Sequence, residues 1–354
     1  MIKRPSIYGN EINDMDDNAN GSGKVIGDKS ADNVHAALNQ FPRWLIGNFP
    51  SPIRQAVSHD GHRFWIKDDG RCSDVYGGNK VRKLEYLLAE VQRRRKKVLV
   101  VHGDVESHTV QACGIWGSQA GLEVHTVVFP HRNQSLNVPE LSRLREIPVR
   151  VHLQRTMLGA VLQAHWIGWR KQGYVVPLGA STPIATVGYV QAALELREQI
   201  CAGLLPEPRS IYLPFATGGS VAGLLIGLTL VGMATRVVAV QTVDGIIANQ
   251  KRLERLVKKT LAVLGAGSED FNRCMNRLDF IDRKNLGSGY RDVPPNVAGA
   301  VTAAMQYGLQ LEPVFSGKAF AALLDTLPKF PNGELLFWNT HDQHDPVTKS
   351  EARQ

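Results

Sequence analysis

The chain has little of what marks secreted or membrane proteins. Its four cysteines, Cys72, Cys113, Cys201 and Cys274, are scattered without the spacing of metal ligands, which favours reduced thiols over a disulfide framework. The most apolar run, residues 221–234, contains glycines and is too short to span a bilayer. No secretory signal pattern opens the chain. We therefore predict a cytoplasmic protein that makes no contact with membranes.

The composition is that of a globular protein with a modest positive charge. Of the 354 residues, 43% are hydrophobic and 21% are charged, and the formal net charge is +8. The basic residues are dispersed except for the run 93–97, which ends a predicted helix, where cations complement the helix dipole. No pattern of interleaved aromatic and basic residues accompanies this run. We predict no nucleic-acid partner, since an anionic small ligand explains the charge equally well.

Short runs rich in β-branched residues alternate with helical patterns from residue 41 onward. The predicted strands are 64–66, 98–102, 124–129, 149–153, 211–215, 237–241 and 335–338. The predicted helices are about 80–95, 107–120, 186–202, 220–233, 248–265, 294–308 and 317–326. Such alternation predicts an α/β fold with mostly parallel sheets. Residues 1–37 are poor in aliphatic side chains and lack sustained periodicity, so we predict a mobile tail there.

One lysine lies where a glycine turn becomes a helix. Gly77, Gly78 and Asn79 precede Lys80, and apolar residues then recur with helical spacing. The dipole at a helix start disfavours a cation. An amine whose charged form is disfavoured is suited to act as a nucleophile or to form a Schiff base. An ordinary surface lysine in a loop is the other interpretation of this segment.

A second glycine turn follows the predicted strand 211–215. It contains Thr217, Gly218, Gly219 and Ser220, and an apolar helix begins at its end. Free backbone N–H groups and the helix dipole at such a turn bind anions, and the two hydroxyl groups add donors. The segment therefore predicts a site for the phosphate of a small cofactor. A tight connection that binds no ligand is the alternative.

Two polar segments also follow predicted strands. Ser107 is a candidate helix N-cap whose hydroxyl could instead face a ligand. His108 is a candidate base, a hydrogen-bond donor to a ring, or a packed core histidine. The segment 337–345 ends with residues typical of metal ligands: His341, Asp342, His344 and Asp345. We interpret it as a hydrophilic loop and predict no metal, because no geometry supports the ligand count of a site.

Taken together, these segments resemble the 1-aminocyclopropane-1-carboxylate deaminase/D-cysteine desulfhydrase family of fold-type-II enzymes dependent on pyridoxal phosphate. The resemblance covers about residues 38–345 and includes the motifs at 77–80, 217–224, 289–290 and 312–319. It implies two three-layer α/β domains with the cofactor in the cleft between them. The large domain is expected to comprise 38–82 and 189–354, and the inserted small domain 83–188. A homodimer is also expected.

The resemblance implies which residues hold the cofactor. They are Lys80, Asn79, Thr217, Gly218, Gly219, Ser220, Ser316 and Thr340. In this arrangement Lys80 forms the Schiff base and the turn 217–220 binds the phosphate. The deaminase branch has a glutamate at the place of Ser316, beside the pyridine nitrogen, and a leucine at the place of Thr340. A hydroxyl does not keep that nitrogen protonated as a carboxylate does, so ring opening is disfavoured and β-elimination favoured.

The resemblance also implies the residues that act on the substrate. Lys80 is expected to move the Cα proton of a small amino acid, Ser107 to contact its carboxylate, and Tyr290 to line the substrate side of the ring. His108 takes the place of a family asparagine that supports the cofactor's phenolic oxygen. An imidazole there is expected to alter the electronics of the cofactor or to supply a new acid/base group.

Further departures point to an altered substrate or reaction. Phe315 replaces a family tyrosine, and His341 with Asp342 replaces two glycines that leave the active-site wall open. We predict a pyridoxal-phosphate-dependent lyase or deaminase, similar to D-cysteine desulfhydrase, that catalyses β-elimination or β-replacement on a different small amino acid. A non-catalytic pyridoxal-phosphate-binding protein and ring opening of the 1-aminocyclopropane-1-carboxylate deaminase type are the alternatives.

Overall fold

The computed structural model describes residues 7–8, 31–131, 139–282 and 287–343. The strands are β1 (Ile7–Tyr8), β2 (Arg43–Trp44), β3 (Ile53–Val57), β4 (Arg63–Asp68), β5 (Val98–Asp104), β6 (Glu123–Phe129), β7 (Val149–Leu153), β8 (Tyr174–Val176), β9 (Ser210–Phe215), β10 (Arg236–Gln241), β11 (Leu278–Ile281) and β12 (Asn332–Asn339). The α-helices are α1 (Ala31–Asn39), α2 (Asn79–Arg93), α3 (His108–Gln119), α4 (Pro139–Glu146), α5 (Met157–Arg170), α6 (Pro183–Cys201), α7 (Gly219–Leu230), α8 (Gln250–Val263), α9 (Ser268–Met275), α10 (Pro295–Ala304) and α11 (Ser316–Thr326). Short 3₁₀ turns lie at Asp69–Arg71, Leu178–Ala180, Met305–Tyr307 and Leu327–Lys329.

Two separate sheets form the framework. The larger sheet has the order β11-β10-β9-β12-β4-β3, with all pairs parallel except β3 and β4. The smaller sheet has the order β7-β6-β5-β8 and is entirely parallel. Central strands such as β5 are buried along their whole length, as parallel strands covered by helices on both faces must be. The carboxyl ends of β5, β9 and β12 are therefore free to carry a site between the sheets.

The predicted α/β class is confirmed, and each predicted strand coincides with an observed one. The sequence analysis missed strands β1, β2, β3, β8 and β11 and helices α1, α4, α5 and α9. In α5 the reason is visible, because its large apolar side chains Leu158, Leu162, Trp166 and Trp169 are exposed. The buried face of α5 consists mainly of small residues such as Ala164. The helix thus lacks the one-sided apolar stripe by which amphipathic helices are recognised.

The last residues of the predicted tail, 31–37, belong to a helix. Helix α1 begins at Ala31, and its residues Val34 and Leu38 are buried in the core beside α6. The prediction of a mobile segment up to residue 37 is therefore wrong at its end, while residues 1–6 and 9–30 lie outside the described part. Strands β5 to β8 fall within 83–188, although the predicted division into domains stays a prediction. Among the described residues, no helix is long and apolar enough to cross a membrane.

A buried ion network connects α2 to the rest of the molecule. The guanidinium of Arg82 donates to Asp69 and to Glu195, each at 2.9 Å, and all three side chains are almost completely enclosed. Lys67 of β4 donates to the same Glu195. Burial opposes ionisation of Glu195, but Arg82 and Lys67 outweigh it and lower the pKa of this carboxyl to about 2. The network therefore stays ionised and holds α2, α6 and β4 in one arrangement.

We expect Glu195→Gln to lower the free energy of unfolding by about 3–5 kcal/mol, because two buried cations then share one carboxylate fewer. Urea denaturation followed by circular dichroism measures this change. Glu198→Gln on the same helix is the matched control, since the side chain of Glu198 is 59% exposed, and its effect should stay within about 0.5 kcal/mol. Equal stability of the two variants would contradict the role given to the network.

Candidate active site

A cavity of about 370 Å³ opens between the carboxyl ends of β5, β9 and β12 and the start of α2. The structure brings most of the predicted site residues to its wall. Those that line it are Asn79, Lys80, Ser107, His108, Thr217, Gly218, Gly219, Ser220, Tyr290 and Thr340. Ser316 is fully buried behind this wall, and its neighbour Phe315 lines the cavity instead.

The glycine turn before Lys80 is packed too tightly for any other residue. A Cβ on Gly77 would lie 2.1 Å from the carbonyl oxygen of Gly70, and Gly78 has φ = +83°. The segment after β12 holds the turn in place. The N–H of Gly77 donates to the Asp342 carboxylate at 2.8 Å, and the N–H of Asn79 donates to the Thr340 carbonyl at 3.0 Å. Asp342 thus supports the turn that precedes Lys80.

The amine of Lys80 lies inside the cavity, 2.9 Å from the Oδ1 atom of Asn79. Burial lowers the pKa of Lys80 to about 8, with weaker opposing effects from Cys113 and Glu312. The predicted direction is confirmed, but desolvation rather than the helix dipole is the main cause. A substantial fraction of this amine is therefore uncharged and nucleophilic near neutral pH.

The turn at 217–220 forms an anion cradle at the start of α7. Gly218 adopts a left-handed conformation with φ = +87°, and the helix begins at Gly219. A Cβ on Gly219 would lie 2.7 Å from the Ser181 hydroxyl and 2.8 Å from the Lys83 amine. Thr217 and Ser181 share a hydrogen bond of 2.8 Å. Backbone N–H groups, hydroxyls and an ammonium group therefore converge on one space, which suits a phosphate.

Lys83 is a site residue that sequence reasoning missed. Its amine is buried and donates to the Gly179 carbonyl at 3.1 Å and to the Ser181 hydroxyl at 3.4 Å, both of them neutral groups. Burial, reinforced by nearby Lys80, lowers the pKa of Lys83 well below its usual value. Its position three residues after Lys80 could have indicated it, because this spacing places both amines on one side of α2.

Two imidazoles lie beside Lys80. The rings of His108 and His341 are in edge-to-face contact with centroids 4.9 Å apart, and the Tyr76 hydroxyl lies 2.9 Å from Nδ1 of His108. Burial lowers the pKa of both histidines. The nearby His341 and Lys80 lower the pKa of His108 further, whereas Glu312 and Asp342 partly oppose the shift of His341. His108 is therefore not a core histidine, and His341 belongs to the cavity wall rather than to a surface loop.

No group of side chains suited to hold a metal occurs within the described residues. The two other members of the loop considered above, His344 and Asp345, lie outside that part of the chain.

The model of the family described as pyridoxal-phosphate dependent enzyme matches residues 45–340 of this chain. That match spans most of the chain and includes every residue that lines the cavity except His341. The chain belongs to the pyridoxal-phosphate-dependent enzyme family. Its cofactor is pyridoxal phosphate.

Individual relatives narrow the group within this family. The chain is 27% identical to a putative 1-aminocyclopropane-1-carboxylate deaminase of Pyrococcus furiosus, over 87% of this chain and 94% of the relative. It is also 27% identical to a D-cysteine desulfhydrase of Klebsiella pneumoniae, over 86% and 94%. The crystal structure of an ACC deaminase homologue superposes with a TM-score of 0.75 at 27% identity, covering 87% of this chain and 94% of that one. The chain thus falls in the deaminase and desulfhydrase group, as its motifs predicted.

The residues of this family member fit the cofactor. Lys83 lacks a carboxylate partner among its described contacts and borders the cradle at Gly219, so a bound phosphate would supply the counter-charge that favours its protonated form. The amine of Lys80 is the group that the aldehyde requires, and it opens into the same cavity. Burial of these two amines is unfavourable by itself. An anionic aldehyde would compensate for it, since its phosphate would pair with Lys83 and its aldehyde would react with Lys80.

Ser107 takes the N-cap position of α3, but its side chain makes no capping hydrogen bond. Its hydroxyl is at the cavity wall and is therefore available to a ligand at the start of a helix. Ser316 differs, because its hydroxyl donates to the carboxylate of Glu312 at 2.9 Å. The same carboxylate accepts the backbone N–H groups of Val314, Phe315 and Ser316, so it acts as the cap of α11.

Tyr290 lines the cavity and makes a contact that the sequence did not indicate. Its hydroxyl donates to the Asp104 carboxylate at 3.0 Å, and its ring packs on Phe315 with centroids 5.6 Å apart. Burial, together with the charge of Asp104, raises the pKa of Tyr290 well above its usual value. Tyr290 therefore stays protonated, and Asp104 is a second residue of the site that sequence reasoning missed.

We expect Lys83→Met to weaken the binding of pyridoxal phosphate by roughly 10- to 100-fold, because a charge-assisted hydrogen bond to the phosphate is lost. Binding of pyridoxal, which lacks the phosphate, should change much less. Absorbance titration of cofactor-free protein measures both affinities, and Lys251→Met on the exposed surface of α8 is the control. Equal losses for the two aldehydes would exclude a phosphate contact of Lys83.

The uncharged fraction of Lys80 should grow as the pH rises through about 8, whereas an unperturbed lysine titrates at about 10.4. We therefore expect the rate of Schiff-base formation between cofactor-free protein and pyridoxal to rise with pH and to level off above about 9. Stopped-flow absorbance gives the profile, and Lys80→Ala gives the background from other amines. A rate that still climbs at about pH 10 would show an unperturbed amine.

Proposed function

We propose that the protein removes or exchanges the β-substituent of a small amino acid, as a D-cysteine desulfhydrase-like enzyme with a different substrate. The observation that carries this proposal is the cavity amine of Lys80, whose pKa burial lowers to about 8. It lies beside a phosphate cradle in a chain of the deaminase and desulfhydrase group. A reactive amine, an anion site and a cavity for a small ligand are together what this chemistry requires.

In this proposal the cofactor is held at both of its ends. Lys80 binds its aldehyde carbon, and Asn79 positions that amine through the 2.9 Å contact described above. The turn 217–220 and Lys83 bind its phosphate, and Thr340 borders its ring. When bound, pyridoxal phosphate supplies an electron sink for the pair released at the substrate Cα. The large domain (38–82 and 189–354) and the inserted domain (83–188) form the two walls of the cleft.

The chain's own groups bind and orient the substrate and move its proton. Ser107 and the free N–H groups at the start of α3 bind the carboxylate. Lys80, whose amine lies in the cavity, would take the Cα proton of the bound substrate. The bond from Cβ to the substituent then breaks, and the substituent leaves with the electron pair. After hydrolysis the products are a keto acid, ammonia and the protonated leaving group; capture by a nucleophile gives a replaced amino acid instead.

Elimination is favoured over ring opening by the surroundings of Ser316. Opening a cyclopropane ring needs a strong electron sink, which a carboxylate beside the pyridine nitrogen would support. The nearest carboxylate, Glu312, accepts three backbone N–H groups and the Ser316 hydroxyl. Its charge is therefore committed to the start of α11, and the Ser316 hydroxyl, which is turned toward it, supplies no carboxylate in its place.

Two readouts test this proposal. Purified protein should be yellow, and borohydride should fix the cofactor to Lys80, which peptide mass spectrometry identifies. The D- and L-forms of amino acids with good β-leaving groups, such as β-chloroalanine, should then release keto acid, while 1-aminocyclopropane-1-carboxylate should not. Lys80→Ala serves as the control for both. An adduct without keto acid, replaced product or spectral change would favour the non-catalytic alternative, and an adduct at another lysine would overturn the mechanism.

A further inference from the structure

The charge of the cavity wall changes sign once the cofactor is in place. The lysines that line the cavity are Lys80 and Lys83, and the proposed function commits both to the cofactor. The described carboxylates at the wall are Asp104, Asp244 and Glu312, of which Glu312 is engaged by α11. Among the described residues that line the cavity, the charges left for a substrate side chain, apart from imidazoles, are therefore negative. This local charge is opposite to the net charge of +8 of the whole chain.

Asp104 is the more enclosed of the two remaining carboxylates, with 9% of its surface exposed. It accepts the N–H of Glu106 at 3.0 Å and the hydroxyl of Tyr290 at 3.0 Å. Arg291 lies 3.7 Å away but forms its closer ion pair with Glu106. The guanidinium of Arg291 is thus shared between the two carboxylates, and Asp104 receives the longer of its two contacts. Burial raises the pKa of Asp104, as expected of a carboxylate short of counter-charge.

Tyr290 presents a fixed acceptor next to this carboxylate. Its proton is directed to Asp104, so the lone pairs of its oxygen are the part free to meet a ligand. The backbone around it is fixed by the buried amine of Lys318, which donates to the carbonyls of Gly289 and Tyr290 at 3.4 and 3.0 Å. Phe315 and His131 pack on its ring. A hydrogen-bond acceptor and a negative charge are therefore held together at one place on the wall.

We propose, on the basis of the function above, that the preferred substrate carries a hydrogen-bond-donating β-substituent, an amine or a hydroxyl, that Asp104 and Tyr290 receive. 2,3-Diaminopropionate and serine have this chemistry. A chloride has no proton to donate, and a leaving thiolate is repelled by the carboxylate. Asp104 and Tyr290 thus select the substrate, while Lys80 removes the proton.

The test compares two substrates that yield the same keto acid, 2,3-diaminopropionate and β-chloroalanine, each in both enantiomers. The ratio of their kcat/KM values is measured with the holoenzyme, so that intrinsic differences between the leaving groups cancel between variants. We expect Asp104→Asn to lower this ratio roughly 10- to 100-fold, mainly through the KM for 2,3-diaminopropionate, because a hydrogen bond to a charged group is lost. Tyr290→Phe should lower it less, and Glu198→Gln on the surface of α6 should leave it unchanged.

The outcomes separate this inference from the proposed function. Turnover of β-chloroalanine with the same ratio in all variants would overturn the inference and leave the elimination chemistry standing. Absence of turnover with every substrate would overturn the proposed function itself. Circular dichroism and the cofactor absorbance report whether each variant folds and is loaded. Should Asp104→Asn fail to fold, the ratio in Tyr290→Phe decides, since that substitution removes the acceptor and keeps the ring.

Discussion

The buried ion network around Arg82 is the interaction on which the site depends. Arg82 lies two residues after Lys80 and binds Asp69, just after β4, and Glu195 in the middle of α6. Trp338 of β12 donates to the same Asp69 carboxylate. One guanidinium thereby fixes the start of α2 against the larger sheet, and the position of the Lys80 amine follows from it. Because an uncompensated charge in such a place is very costly, the arrangement has few alternatives.

The cavity shows the opposite electrostatic situation. There the amines of Lys80 and Lys83 are buried near each other, and burial lowers the pKa of both. Of the carboxylates at the wall, Glu312 caps α11 and only partly offsets the effect of burial on Lys80, and Asp104 binds Tyr290. On the same helix, the charge of Arg82 is therefore paired with carboxylates, whereas the amine of Lys83 has only neutral hydrogen-bond partners among its described contacts. An anionic aldehyde that binds only the folded chain relieves this strain, which couples cofactor binding to stability.

Sequence reasoning located the parts of the site that depend on local pattern. A glycine turn between a strand and a helix predicted an anion site at Gly218, and the glycines before Lys80 predicted that its amine lies at a helix start. It missed Lys83 because a lysine on a helix carries no local sign of burial. It placed Ser316 at the wall, but the helix that begins there turns the hydroxyl toward Glu312. It treated His341 as part of a surface loop because short polar segments are usually exposed.

The amino-acid sequence by itself determined the α/β alternation, the strand positions and the two glycine turns, since each follows from interactions between near neighbours along the chain. Only the tertiary structure decided which side chains meet across the cleft. The contact between Asp104 and Tyr290 joins residues 186 positions apart, and that between Arg82 and Glu195 spans 113. Such pairs leave no periodic trace in the sequence, because packing of whole elements brings them together. The proposed substrate preference rests on contacts of this second kind.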